Sequence, residues 1–77
     1  MTSQMLIDAG CTNVKYYALI NNDGYTFVKN GVRYDVRHWL NCYGADVDYW
    51  SIHNLDEPRY IPSVNTAAEM LDIIKAL

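Results

Sequence analysis

Asn30-Gly31 constrains the fold of this chain more than any other pair of residues. A two-residue type I′ turn needs positive φ at both central positions, which Asn and Gly tolerate best, so this pair between strand-type runs dictates a tight hairpin. The turn also sets a register in which Lys29 opposes Val32, Val28 opposes Arg33, Phe27 opposes Tyr34 and Tyr25 opposes Val36. Strand side chains alternate, so the register decides the face each one occupies.

Asp23-Gly24 repeats this turn chemistry one hairpin earlier. It predicts Ile20 opposite Phe27, Leu19 opposite Val28 and Ala18 opposite Lys29. Residues 14–36 thus read as a meander of three strands. Its core face carries Val14, Tyr16, Ala18, Ile20, Tyr25, Phe27, Val32, Tyr34 and Val36, with Lys29 intruding where its stem can snorkel out beside the turn. Its outer face carries Lys15, Tyr17, Leu19, Thr26, Val28, Arg33 and Asp35, and places Tyr17, Leu19 and Val28 side by side. A first loop of three residues would flip the parity of strand one and undo this division.

Thr2 or Ser3 can cap a short helix over residues 4–9, with Met5 and Leu6 inward and Gly10 just past its end. Val36, Trp39, Leu40 and Tyr43 then recur at helical spacing, with Asp35 as N-cap and Gly44 beyond, which predicts a helix over residues 36–43. Residues 45–54 are rich in β-formers and read as a fourth strand, and residues 55–62, with Pro58 and Pro62, as an extended connection. Thr66 and Glu69 form a capping box. The helix after it stripes Ala67, Met70, Leu71, Ile74 and Leu77 toward the core face and turns Glu69, Asp72 and Lys75 outward.

The expectation is one α+β domain over residues 1–77. It is a small antiparallel meander of three to four strands with the C-terminal helix on one face and one or two short helices beside it.

A hydrophobic fraction of 51% with 19% charged residues is ordinary for a folded domain and argues against disorder. Residues 16–20 form the longest apolar run and no basic leader precedes them, so neither a signal peptide nor a membrane span is expected. Two cysteines are too few for a disulfide framework, which predicts a reduced, cytoplasmic protein.

Chemistry is sparse. Cys11, His38, Cys42 and His53 make a nominal metal-ligand set in which His38 and Cys42 share a helical spacing. Structural zinc sites take ligands in two tight pairs, and no close cysteine pair exists, so no metal or other cofactor is expected. A Cys/His nucleophile lacks an activating environment, and Asp46 and Asp48 sit in a hydrated stretch where nothing raises a carboxyl pKa. No glycine-rich run opens a helix to cradle a phosphate. The chain is expected not to be an enzyme.

Binding remains. A net charge of −3 speaks against broad contact with a phosphate backbone, although Tyr17 with Lys15, Arg33 and Arg37 is a thin version of the aromatic and basic sheets that stack single strands. The outer face has better anatomy for a protein interface, with an apolar centre of Tyr17, Leu19 and Val28 and a polar ring that includes Arg33. Tyr49 and Trp50 are the next candidates. The opposing reading is that residues 45–62 fold over this face and bury it. A homodimer through the same patch or through an open edge strand belongs to the interface reading. The size, acidity and missing catalytic machinery suit the kind of chain with which phages and mobile elements block a larger host protein. An inhibitor or regulator of a larger partner is therefore the leading expectation, a nucleic-acid-binding module the second and a small metal-binding domain the third.

Overall fold

Asn30 and Gly31 adopt φ of 51° and 75° in the computed structural model, so both take the left-handed conformation the tight turn requires. The structure describes residues 1–41, 44 and 46–77. Their elements are α1 (Ser3–Asp8), β1 (Thr12–Ala18), β2 (Asn22–Lys29), β3 (Val32–Leu40), β4 (Asp48–Asn54) and α2 (Ala67–Lys75). The strands form one antiparallel four-stranded sheet in the order β1-β2-β3-β4, an α+β fold. No helix among the described residues is long and apolar enough to cross a membrane.

The β2–β3 register follows the turn: Lys29 pairs with Val32, Phe27 with Tyr34 and Tyr25 with Val36. The first hairpin differs from expectation. Ala18 pairs with Asp23, Tyr17 with Gly24 and Tyr16 with Tyr25, and the chain reverses over residues 19–22, closed by a 2.7 Å bond from the Leu19 amide to the Asn22 carbonyl. Asp23 and Gly24 lie inside β2, and Ile20, expected in the core, is fully exposed at the tip. Gly24 serves a different purpose there: a Cβ would overlap the Val36 carbonyl oxygen. The register moves by an even number of residues, so Tyr16 and Tyr17 keep the faces expected of them.

The predicted helix over residues 36–43 is instead the second half of β3 as far as Leu40, while Cys42 and Tyr43 lie outside the described residues. Helical spacing lost to backbone pairing. β3 is hydrogen-bonded on both edges, from Asn22 opposite Trp39 on one side and Leu40 opposite Asp48 on the other, and a helix here would leave the facing stretches of β2 and β4 without a partner on that edge. Asp35 is consequently a mid-strand residue and caps nothing.

Both helices contact the sheet's inner side, α1 against β1 and α2 against β4. Leu6 from α1 and Met70 and Ile74 from α2 meet Phe27, Val36 and Ile52 in a single core, and each such side chain contributes roughly 1.5–3 kcal/mol by leaving water. Met5, expected inward, is 46% exposed. The Thr2 hydroxyl caps α1 by accepting from the Met5 amide at 3.2 Å. Thr66 caps α2, its hydroxyl accepting from the Glu69 amide and donating to the Glu69 carboxylate. The connection after β4 is pinned where Val64 and Trp50 exchange two backbone bonds of 2.7 and 3.0 Å.

Lys29 does not snorkel to water. Its Nζ is directed across the core to the end of α2 and donates to the carbonyls of Ile74 at 2.7 Å and Lys75 at 2.9 Å, while the neighbouring Asn30 amide reaches the Leu77 carbonyl at 2.8 Å. A positive charge is favoured at this end of the helix, where the last carbonyls lack helical donors. Lys29→Met keeps the stem but leaves those carbonyls without donors; urea denaturation is expected to show a loss of about 1–3 kcal/mol.

Candidate functional site

The sheet face turned away from the helices is a candidate surface. Register places Tyr17, Gly24, Arg37 and Ser51 in one row across the four strands, with Lys15, Thr26, Asp35 and His53 in the next. Gly24 leaves room for the Tyr17 ring to lean over β2, and the Tyr17 hydroxyl donates to Asp35 Oδ1 at 2.6 Å. Arg37 holds the other oxygen of that carboxylate, with Nε and Nη2 each 3.0 Å from Oδ2. Asp35 is 7% exposed and has both oxygens engaged, as a buried carboxylate requires.

That anchoring positions the Arg37 guanidinium 5.9 Å from the centroids of both the Tyr17 and Trp39 rings. Trp39 lies in the neighbouring row: its indole N–H donates to the Ser51 hydroxyl at 2.9 Å and its ring stacks on Tyr49 at 6.2 Å and 14°. Tyr17, Arg37, Trp39 and Tyr49 thus form a half-buried row of planar groups across the sheet. Burial works against the Arg37 charge, but the Asp35 carboxylate outweighs it and the guanidinium pKa is raised. The Tyr17 phenol is pushed well above its ordinary value, by burial first and then by its bond to Asp35.

The structure separates the residues that the sequence grouped. Tyr17 is in the row, but Leu19 is in the tip loop and 60% exposed, far along the sheet from Val28, which pairs with Thr12 and Arg33. The apolar trio of Tyr17, Leu19 and Val28 does not assemble. Arg33 is clasped by Asp56, which takes Nε at 2.8 Å, Nη2 at 2.7 Å and the Arg33 amide at 2.8 Å, and this holds the Asp56 carboxyl below its ordinary pKa. Tyr49 lies on the outer face, whereas Trp50 is on the opposite one, 7% exposed. Residues 45–62 do not fold over the sheet as a unit, since Asp48–Asn54 form its fourth strand.

Trp39 is the residue the sequence reading missed, and Arg37, grouped there with Tyr17 as a basic residue, was placed on a helix rather than on β3. Alternation counted onward from Asn30-Gly31 through Arg33 and Asp35 would have placed both, had the strand not been ended at a supposed helix cap. The ligand-type residues are dispersed: Cys11 is buried in the core, its thiol pushed up by burial against the charge of Lys29, and His38 and His53 occupy opposite faces of the sheet. Cys42 lies outside the described residues, among which no three His, Cys, Asp or Glu side chains are grouped to hold a metal ion.

Comparison of the chain with protein-family models, with curated proteins and with solved structures finds no match.

The Tyr17–Asp35 bond sets a pH dependence. A phenol whose folded pKa is raised contributes stability that is fully present below its unfolded value of about 10 and is lost as pH rises above it. Tyr17→Phe is expected to cost about 1 kcal/mol at neutral pH. Chemical denaturation across the alkaline range should show a shallower decline in the variant than in the wild type.

Proposed function

We propose that this chain is a non-enzymatic protein-binding module, an inhibitor or regulator that acts by occupying the surface of a larger protein with its outer sheet face. One observation carries the reading: Arg37 is held between Tyr17 and Trp39 by a buried carboxylate, with Tyr49 stacked on the end of the row. Trp, Tyr and Arg dominate the energetic centres of protein interfaces. Side chains already ordered in the free molecule lose less freedom on binding. Two of the basic groups that would suit a nucleic acid are tied to carboxylates, Arg37 to Asp35 and Arg33 to Asp56, and the net charge is −3. Both facts favour a protein partner over a phosphate backbone.

The test is capture by the immobilised chain at low and high salt, comparing wild type with a Trp39→Ala/Tyr49→Ala variant whose fold is verified by circular dichroism. A defined protein that survives high salt is expected. With that protein purified, the variant should bind about 30-fold more weakly or worse, the loss of one strong interface residue. Nucleic acid alone, released by salt, would overturn the reading, and equal affinity of the folded variant would remove this face from it.

A further inference from the structure

On the opposite side of the sheet, beyond the helices, lies a hollow of about 380 Å³ bordered by Met1, Tyr16, Asp23, Tyr25, His38 and Trp50. Its polar groups are held in place by their neighbours. His38 stacks on Trp50 with centroids 4.3 Å apart and planes within 5°, which fixes the plane of the imidazole. Its Nε2 is 2.7 Å from Asp48 Oδ1, and a carboxylate only accepts, so the proton of a neutral ring resides on Nε2. Nδ1 then carries a bare lone pair. It faces Asp23 Oδ1 at 3.8 Å, too long for a direct hydrogen bond. The other Asp23 oxygen is occupied by the Tyr16 hydroxyl at 2.8 Å, which orients the carboxylate.

With the ring neutral, two acceptors, one of them anionic, thus lie 3.8 Å apart beside the Tyr16 ring, itself 55% exposed. Only a donor can satisfy both, and the net charge there favours a cation. The adjoining surface, shared with Tyr16, Asp23 and His38, sets the side chains of Leu19, Ile20 and Leu40, at 60%, 100% and 51% exposure, beside Asn21 and Asn22. A planar cation with several diverging N–H groups, carried on an aliphatic stem, matches this combination better than a compact ammonium, because it can bridge both acceptors while lying against an aromatic ring.

We propose that this hollow is an arginine-binding subsite, in which a guanidinium from a protein partner bridges Asp23 Oδ1 and His38 Nδ1. It is separate from the outer-face row and stands whether or not that row binds a protein. Protonation of His38 turns the Nδ1 acceptor into a donor to Asp23, so proton and guanidinium compete. The groups around the imidazole are Asp23 from β2, Tyr16 from β1 and Asp48 and Trp50 from β4, and Met1 also borders the hollow.

Methylguanidinium and Nα-acetyl-arginine amide are the probes, added at a pH at which the ring nitrogens themselves report His38 as neutral. The ring nitrogens of His38 and the indole of Trp50 are followed by NMR. Saturable shifts that sodium chloride at equal ionic strength does not produce are expected. They should weaken about tenfold in Asp23→Asn, the loss of one charge-assisted hydrogen bond, and similarly in His38→Phe, which keeps the stack on Trp50. Binding should also fall on acidification in step with the His38 protonation read from the same nitrogen shifts. Shifts no larger than those with salt, or unchanged affinity in folded Asp23→Asn, would overturn the site. Equal affinity for methylammonium would overturn its assignment to arginine.

Discussion

The two layers of this fold are joined at the buried side chain of Lys29. Its position is set by the Asn30-Gly31 turn, which leaves Lys29 as the last residue of β2, on the helix-facing side of the sheet. From there it reaches the carbonyls that end α2. The turn therefore fixes more than a hairpin, because the residue before it and Asn30 within it fasten the far end of the chain to the middle. With α2 held, Met70 and Ile74 are presented to Val36 and Ile52, and the face they leave uncovered becomes the surface available to partners. A polar residue at a core position was visible in the sequence. Its destination was not, because a helix end brought near by tertiary packing leaves no trace in local spacing.

Legibility varied along the chain for identifiable reasons. The β2–β3 register and the cap of α2 could be read because turn and cap chemistry are local and use few residue types. Asp23-Gly24 misled because glycine has two uses. It permits positive φ, and it also permits another backbone or ring to come close; here only the second applies, with Tyr17 lying over it. Residues 36–40 misled because apolar groups spaced for a helix also occurred on a strand whose two edges were both needed for pairing. The parity of β1 nevertheless survived the wrong turn, so the division into two faces was sound while the neighbours along each face were not. The candidate interface suffered most from this. Its chemistry was anticipated at Tyr17, but Arg37 and Trp39 were assigned to another element and Leu19 was brought to a loop.

The two faces hold their polar groups in contrasting ways. On the outer side Asp35 has both oxygens satisfied, and its role is to keep Arg37 and Tyr17 still. On the inner side, past the helices, Asp23 and His38 face each other across a gap that neither closes. The first arrangement is an ordered surface with its charges balanced internally; the second leaves acceptors that call for a donor from elsewhere. Stacking is the common device, with Trp39 on Tyr49 and His38 on Trp50 from consecutive positions of the same strand pair.

The irregularity between Thr12 and Lys15, with Asn13 at a φ of 52°, lies on β1, the strand that ends the sheet. An end strand carries a row of backbone donors and acceptors with no neighbour, which is a template on which further chains can add. A bulge breaks the even spacing of that row and twists it, so the regular stretch of β1 shrinks to residues 15–18. At the other end, Val64 takes the backbone groups of Trp50. Both margins of the sheet thus have their even row of backbone groups interrupted, by the irregularity on β1 and by Val64 on β4, and each interruption works against fibre-like growth by strand addition.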